Sequence, residues 1–311
     1  MIKALQRVMA PDTAGDPMTA LKWTHKTTEK ISRQLRRAGI SVSPGTVGRL
    51  LKDMDYSLRV NRKMIATVSS PDRNRQFDCI KRKRRSFHKE GLPVVSIDSK
   101  KREMLGQFKN PGRVWANAPV QVNDHDFMRD SVGVALPYGV YDPEMNRGHI
   151  FVGQSHETSA FAVDALRRWW KRDGQRAYPD ARRLLVLADG GGSNGPRRRA
   201  WKHSLQTKFV DVLGVTVTVC HYPPGASKWN PIEHRLFSEV SKNWAGIPLK
   251  DYETMLNYIR TTRTKTGLRV KATLLRGEYP TGIKISDAEM KAVNLRPHRI
   301  LPSWNYTLSP N

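Results

Sequence analysis

The sequence LLVLADGGGSNG at residues 184–195 decides the fold prediction. Its first five residues are all apolar, a pattern typical of a strand that is buried on both faces of a sheet. Asp189 follows this strand directly and precedes a glycine-rich loop. In α/β sheets, ligands bind at the ends of such strands. The segment therefore predicts an α/β domain with Asp189 as a candidate site residue.

The same domain is predicted to contain further strands and helices. Short apolar or alternating runs predict four strands, at residues 94–97, 104–108, 132–141 and 149–153. Residues 215–219 alternate valine with threonine, which predicts a half-exposed strand near a sheet edge. A helix is predicted over residues 157–170, where Trp169 and Trp170 are more typical of a packed core than of a base-stacking platform. This order of elements predicts a mixed sheet with flanking helices.

Two short helices are predicted near the N-terminus, after a linker-like start of about 20 residues. The first covers residues 27–37 and ends at Gly39, and the second begins with Ser43 as its N-cap and Pro44 as its first residue. Two helices joined by a tight turn are the pattern of a helix-turn-helix, although a generic helical hairpin has the same pattern. The residues that a helix-turn-helix would present to DNA are Thr46, Arg49 and Lys52.

The charge of the chain favours the DNA-binding interpretation. The 311 residues include 54 Lys and Arg against 28 Asp and Glu, a formal net charge of +26. Such an excess favours a polyanionic partner, above all double-stranded DNA, and argues against an ordinary metabolic enzyme. The two cysteines lack the spacing of a disulfide framework or a zinc site, and no segment has the length and apolarity of a membrane span. We therefore expect a cytoplasmic protein that does not bind membranes.

Several basic clusters are candidates for contacts with DNA phosphates. Residues 71–92 predict a basic helix that links the N-terminal unit to the larger domain, although such a charge run is also typical of a solvated helix face. Its candidate contacts are Lys81, Arg82, Lys83, Arg84 and Arg85. Further candidates beside the two strand ends are Lys100, Lys101, Arg197, Arg198, Arg199 and Lys202.

Three acidic residues are candidates for a metal site. Asp98 and Asp189 each follow a buried strand, and Glu233 lies on a helix that begins near Asn230. Carboxylates are hard ligands suited to Mg²⁺ or Mn²⁺, which assist attack on a phosphodiester. Each residue also has a structural alternative. Asp98 is a candidate turn residue, Asp189 a candidate Asx-type partner of the glycine loop, and Glu233 a candidate capping-box partner of Asn230.

Four motifs together resemble a known family. They are SIDSKK at residues 96–101, LADGGGSNG at 187–195, HYPPG at 221–225 and KWNPIEHRLF at 228–237. In these motifs the chain resembles the Rhodopirellula-type insertion-sequence transposases, which belong to the DDE superfamily and are akin to the mariner-like group. The resemblance covers nearly the whole chain from about residue 11 to the closing WNYT at residues 304–307.

The resemblance implies a ribonuclease-H-like catalytic domain with a triad at Asp98, Asp189 and Glu233. It also implies Mg²⁺-dependent cutting and joining of DNA, in which water attacks at the element end and the freed 3′-hydroxyl then attacks target DNA. His125 and Asp126 match a family segment to which we assign no catalytic step. Family members begin before the position of Met1, so we expect an N-terminally shortened copy.

The combined prediction is an α/β protein with four regions. Residues 1–70 hold the helix-turn-helix, 71–92 the basic linker helix, 93–248 the catalytic domain and 249–311 a helical and irregular extension. The predicted partners are element ends and target DNA, with a homo-oligomer assembled on them. Two other functions remain open: a catalytically silent DNA-binding protein derived from a transposase, and a ribonuclease-H-like nuclease without joining activity.

Overall fold

The computed structural model describes residues 1–15, 22–58 and 72–311. The chain forms two compact units, Met1–Ile65 and Ala66–Asn311, which are described separately below. Across the three described ranges, no helix is both long enough and apolar enough to cross a bilayer.

In its described residues, the smaller unit contains three α-helices and a two-stranded antiparallel sheet. In chain order its elements are α1 (Ile2–Met9), β1 (Thr13–Gly15), β2 (Lys22–Thr24), α2 (Thr28–Arg37) and α3 (Pro44–Asp53). The side chains of Thr27 and Ser43 accept hydrogen bonds from the first turns of α2 and α3, as N-caps do. The two helices predicted from the sequence are thereby confirmed.

The prediction of a linker-like N-terminal start is wrong for residues 2–9. These residues form α1, whose Leu5 and Met9 lie one helical turn apart and are fully or almost fully buried. They pack with Ile31 and Leu35 of α2 and with Val47 of α3 into one apolar cluster. Two apolar residues in so short a helix give too little periodicity to be recognised without their partners.

The larger unit contains the remaining elements. Its first half comprises α4 (Arg73–Lys89), β3 (Val94–Ser99), β4 (Glu103–Leu105), β5 (Gly133–Asp142), β6 (Arg147–Gly153), α5 (Ser159–Trp169), α6 (Gln175–Ala177) and β7 (Arg183–Ala188). Its second half comprises α7 (Arg199–Leu205), α8 (Asp211–Leu213), β8 (Thr216–His221), α9 (Ser238–Asn243), α10 (Tyr252–Thr261), β9 (Arg269–Leu275), α11 (Asp287–Lys291), β10 (Leu295–Pro297) and β11 (Asn305–Leu308).

One mixed sheet forms the centre of this unit. Its strand order is β10-β11-β8-β7-β3-β5-β6-β9, and β4 pairs with β5 beside this path. The pairs β3/β7, β7/β8 and β6/β9 are parallel, and the other pairs are antiparallel. The predicted mixed sheet with flanking helices is confirmed.

Helices cover both faces of the sheet. On one face α5 and α7 pack on alternate residues of the central strands, and Trp169 and Trp170 are buried there as predicted. On the other face α9 and α10 cover one half of the sheet, while α4 covers the other half through Ile80 and Phe87. The central strands are therefore buried on both sides.

The prediction that residues 215–219 form a half-exposed strand is wrong. Strand β8 lies between β7 and β11, and all its residues after Thr216 are buried. Thr218 is tolerated there because its hydroxyl hydrogen-bonds that of Thr307 on β11, at 3.1 Å. The polar residue has a partner that lies far away in sequence.

The prediction of irregular structure after residue 263 is also wrong. Strand β9 pairs with β6 at one edge of the sheet, and β10 and β11 extend the other edge beyond β8. The C-terminal residues are thus part of the same sheet as the predicted site strands.

Candidate active site

Asp98 and Asp189 lie side by side because of the register of two parallel strands. Ile97 on β3 is paired with Ala188 on β7, so the next residue of each strand is an aspartate at the same end. Asp189 follows its strand as predicted, whereas Asp98 is inside β3 rather than after it. Asp98 is only 9% exposed, and one carboxylate oxygen accepts the N–H of Ser99 at 2.8 Å.

Glu233 lies near Asp98 and Asp189 because its helix packs closely on the sheet. The residues from Glu233 to Phe237 form a π turn, which α9 continues. Gly139 on β5 is the cross-strand partner of Asp98, and a Cβ atom there would lie 2.7 Å from both Ile232 and Phe237. Glycine at this position therefore leaves room for the segment that carries Glu233.

Asn230 connects the three elements that carry the acids. It is fully buried, and its side-chain amide donates to the carboxylate of Asp189 at 3.1 Å and to the carbonyl of Ile97 at 3.5 Å. The side-chain oxygen Oδ1 of Asn230 accepts a hydrogen bond from the hydroxyl of Ser96, and the oxygen of that hydroxyl accepts the N–H of Ile232 at 3.4 Å. The Asn230 side chain is therefore engaged with the two strands.

Two of the structural alternatives are wrong. A capping box would require the side chain of Asn230 to accept the N–H of Glu233, but that N–H bonds the main-chain carbonyl of Asn230 at 3.1 Å. The side chain of Asp189 bonds Asn230, while the glycine loop is held by Arg198, which donates to the carbonyl of Gly192 at 2.7 Å. Neither local bond accounts for Glu233 or Asp189.

The three acids act on one another electrostatically. The pKa of Asp98 is raised to about 8, mainly by burial and then by the nearby Asp189 and Glu233, while the Ser99 N–H opposes the shift. Burial also raises the pKa of Asp189, with Asn230 opposing the shift and Glu233 adding to it. The protein thus concentrates negative charge at a place where water solvates it poorly.

The donor chemistry fits a divalent cation. All three side chains are carboxylates, which Mg²⁺ and Mn²⁺ prefer, and their mutual repulsion would be relieved by positive charge. Among the described residues, no group of three or more His, Cys, Asp or Glu side chains is placed so that it could hold a metal ion. Mg²⁺ is commonly bound by one or two carboxylates together with substrate phosphates, so its binding does not require such a group.

The main chain of Asp189 is held by a buried polar network. Burial lowers the pKa of His221 to about 4, so this imidazole is neutral at physiological pH. Its Nδ1 lies 3.0 Å from the carbonyl oxygen of Asp189, which can only accept, so Nδ1 carries the hydrogen. Nε2 then accepts from the hydroxyl of Tyr306 at 3.1 Å, and Trp201 donates to that hydroxyl at 2.9 Å.

Sequence reasoning did not assign roles to several residues around the acids. Ser96, Asn230 and His221 lie inside the quoted motifs, so the motifs were the signal that could have identified them. Gly139 carried no such signal, because its role depends on a helix that is distant in sequence.

The predicted phosphate contacts on α4 divide into two groups. Lys81, Arg82 and Arg85 are exposed, whereas Lys83 and Arg84 are half-buried. The opposite side of α4 packs on the sheet through Ile80 and Phe87, so the helix is part of the larger unit's core as well as basic.

Three of the other predicted contacts are engaged within the protein. Lys100 is largely buried, pairs with Glu103 and lies over the ring of Trp244. Lys202 is half-buried over the ring of Tyr306. Arg199 pairs with Asp287 at 2.6 Å. The ammonium group of Lys100 already has a buried partner, which disfavours a contact with DNA, so this contact stays a prediction.

The remaining predicted residues are on the surface. Lys101 and Arg197 are exposed beside the two strand ends. On α3 of the smaller unit, Arg49 and Lys52 are exposed, and Thr46 is half-buried and accepts a hydrogen bond from Arg49 at 3.3 Å. The exposed His125 stacks on Phe127 in the loop between β4 and β5, and Asp126 is exposed beside it.

Comparison with known proteins identifies the family. No curated protein sequence matches the chain. Similar solved structures include a Mos1 transposase paired-end complex with the left transposon end, with TM-score 0.45 and 16% identity over 83% of this chain and 69% of that chain. The Mos1 mariner paired end complex with Mn has a TM-score of 0.43 and 15% identity over 83% of this chain and 69% of that chain. The Mos1 strand transfer complex has a TM-score of 0.44 and 16% identity over 83% of this chain and 68% of that chain.

A family model matches the sequence of nearly the whole chain. The model of the Rhodopirellula transposase DDE domain matches residues 4–310. This range includes every element of the mixed sheet and all three acids. The chain therefore belongs to the family of Rhodopirellula transposase DDE domains.

Proposed function

We propose that this protein cuts and joins DNA as the transposase of an insertion sequence, with Asp98, Asp189 and Glu233 as its catalytic carboxylates. The observation that carries the proposal is the meeting of the three acids, two through the β3/β7 register and one through the helix packed on Gly139. The raised pKa values of Asp98 and Asp189 support it further, because perturbed carboxyls cluster at functional sites.

The carboxylates would hold Mg²⁺ or Mn²⁺ together with oxygens of the scissile phosphate. Bound divalent ions supply Lewis-acid stabilisation of the developing charge and favour deprotonation of the attacking oxygen. In cutting, water attacks phosphorus and the 3′ oxygen leaves as a hydroxyl. In joining, that hydroxyl attacks a target phosphodiester, so one bond forms as another breaks. Asn230 and His221 would keep Asp189 fixed through both reactions.

DNA recognition is proposed for the basic surfaces. In the smaller unit α2 and α3 would act as a helix-turn-helix, with Thr46, Arg49 and Lys52 facing the major groove. In the larger unit the exposed basic residues of α4, together with Lys101 and Arg197, would bind phosphates. We further propose that the protein assembles as a homo-oligomer on element ends and works at the nucleoid.

A joining assay tests the proposed activity against its two rivals. The substrates are a pre-cut element end with a free 3′-hydroxyl and a supercoiled target plasmid, incubated with Mg²⁺. We expect the wild type to give joined products, and Asp98→Asn and Asp189→Asn to give none while still binding the end.

The rival functions give different results. A nuclease without joining activity would nick or degrade the DNA and yield no joined product. A silent DNA-binding protein would retain affinity for the end but show no metal-dependent change in the DNA. Either result would contradict the proposal.

A further inference from the structure

A basic groove with an exposed aromatic wall lies beside the three acids. It has a volume of about 600 Å³ and is formed by α4 on one side and by the segment that follows β8 on the other. We call it the α4 groove, and its main lining residues are Phe77, Lys81, Arg84, Arg85, Tyr222 and Trp229.

The aromatic wall presents a large apolar surface to solvent. Trp229 is 55% exposed, although most large apolar side chains in this unit are buried. Phe77 meets its ring edge-on, with the centroids 6.0 Å apart, and Tyr222 lies 6.2 Å from Phe77. The ring of Trp229 is therefore supported from within while it is still accessible, as in aromatic side chains that stack on ligands.

Beyond Phe77, the side of α4 that lines the groove is cationic. Lys81, Arg84 and Arg85 recur at spacings of three and four residues, so they lie on the same side of α4. The acids at the groove are Asp78 and Glu144, and the carboxylate of Glu144 is engaged with His88 at 3.1 Å. The groove thus attracts a negatively charged, elongated ligand.

The groove leads to the proposed catalytic residues. Trp229 immediately precedes Asn230, whose amide bonds the carboxylate of Asp189. Tyr222, in the same aromatic wall, donates its N–H to the carbonyl of Ala188, the residue before Asp189, at 2.8 Å. A strand lying in the groove would therefore pass close to the site.

We propose that the α4 groove binds an unpaired DNA strand, with a nucleobase stacked on Trp229 and phosphates held by Lys81, Arg84 and Arg85. The proposal rests on the proposed function, because it concerns the path of a strand next to the cutting site. Unpaired DNA fits better than a duplex, since neighbouring base pairs cover the base faces that would stack on Trp229. A protein partner would not call for a row of cations beside a single exposed ring.

Binding measurements with defined probes test this inference. The protein is titrated in EDTA with three DNA probes of equal length. They are fluorescent oligothymidylate of twelve nucleotides, an abasic sugar–phosphate strand and a duplex. Trp229→Ala should weaken oligothymidylate binding by about 5- to 100-fold and leave the abasic strand unchanged. Trp229→Phe, which keeps an aromatic ring, should retain most of the affinity, and its melting temperature checks that the fold is intact.

Two further variants separate the contribution of base stacking to binding from the contribution of phosphate contacts. Arg84→Ala should weaken both single strands and reduce the slope of log affinity against log salt by about 0.7, as the loss of one phosphate contact predicts. Trp115→Ala is the matched control, since Trp115 is a fully exposed tryptophan on the loop between β4 and β5 and does not line the groove. It should bind all three probes like the wild type.

The outcomes distinguish a failure of the groove proposal from a failure of the proposed function. Unchanged oligothymidylate binding by Trp229→Ala, or an equal loss for the abasic strand and the duplex, would overturn the inference. Cleavage of element ends by the wild type is measured in parallel with Mg²⁺. If the wild type cuts but Trp229→Ala binds normally, only the groove fails. If Trp229→Ala loses the stacking-dependent affinity and no cutting is seen, the groove stands and the proposed function fails.

Discussion

Asp189 is held by different partners at its side chain and at its main chain. Asn230 donates to the carboxylate, and His221 donates to the carbonyl. The second bond depends on Tyr306, whose hydroxyl links Trp201 to His221 inside the core. Polar groups buried in this way specify a single arrangement when every member has its partner.

Removing one hydroxyl from this network should affect cutting more than binding. Tyr306→Phe leaves Nε2 of the buried His221 without a donor, which should cost about 1–3 kcal/mol of unfolding free energy. We also expect cleavage of an element end to fall about tenfold, because a support of Asp189, a proposed metal ligand, is weakened. Urea unfolding and single-turnover cleavage measure the two effects.

A second tyrosine provides the control for Tyr306→Phe. Tyr178 also donates its hydroxyl to a partly buried acceptor, the carboxylate of Asp142, at 2.9 Å. Tyr178→Phe should therefore lower stability without lowering the cleavage rate of the folded protein. Equal cleavage by the two variants would show that the network is only structural.

At the scale of elements, the close packing of the Glu233 segment on β5 is the critical contact. Gly139→Ala would place a methyl group against Ile232 and Phe237, so the segment must move away from Asp98. We expect about 1–3 kcal/mol of lost stability from overpacking. Cleavage per folded molecule should also fall, because Glu233 moves with its helix.

Gly153→Ala is the matched control for this change. Its added methyl group would lie 2.8 Å from Phe161 on α5, so it also overpacks the core but does not touch the Glu233 segment. Cleavage per folded molecule should be unchanged in Gly153→Ala and reduced in Gly139→Ala. If both variants cut equally well, the position of the helix does not control the site.

Helix α3 allows a separate test of sequence recognition. Arg49 is exposed on it, and Arg49→Ala should reduce the preference for the element end over random duplex by about 1–3 kcal/mol if the side chain contacts a guanine. Arg33→Ala, at an exposed position on α2, should weaken both duplexes equally or not at all. An unchanged ratio of affinities for Arg49→Ala would remove α3 from the recognition role.

The elements that were predicted correctly have recognisable patterns in their own sequence. Capping residues fix the starts of α2 and α3, an unbroken apolar run indicates β7, and a short apolar run interrupted only by Ser96 indicates β3. The site acids could be predicted because two of them end or nearly end such strands. The burial of β8 and the C-terminal strands could not be predicted, because they depend on pairings such as Thr218 with Thr307 that no local pattern reveals.

At the scale of the whole molecule, the net charge of +26 should dominate DNA affinity. For about six neutralised phosphates, the slope of log affinity against log salt should be about −5. Titrations of a duplex between about 50 and 200 mM salt measure it. A nearly flat dependence would remove the argument that the positive charge serves DNA binding.

The central claim is that three acids together carry a metal-dependent reaction on DNA. Glu233 is the most informative of them, because only the packing of its helix brings it to the other two. Glu239 is a matched control nearby, on α9, where its carboxylate pairs with Lys242 at 2.6 Å.

The most direct measurement is Mg²⁺-dependent cleavage of a duplex element end by the wild type, Glu233→Gln and Glu239→Gln, with Asp98→Asn and Asp189→Asn alongside. Glutamine keeps the shape but removes a charge and a hard oxygen, so Glu233→Gln should cut at least about 100-fold more slowly, with DNA affinity and melting temperature nearly unchanged. Glu239→Gln should cut like the wild type. Full cleavage by Glu233→Gln, while both aspartate variants are inactive, would contradict the account.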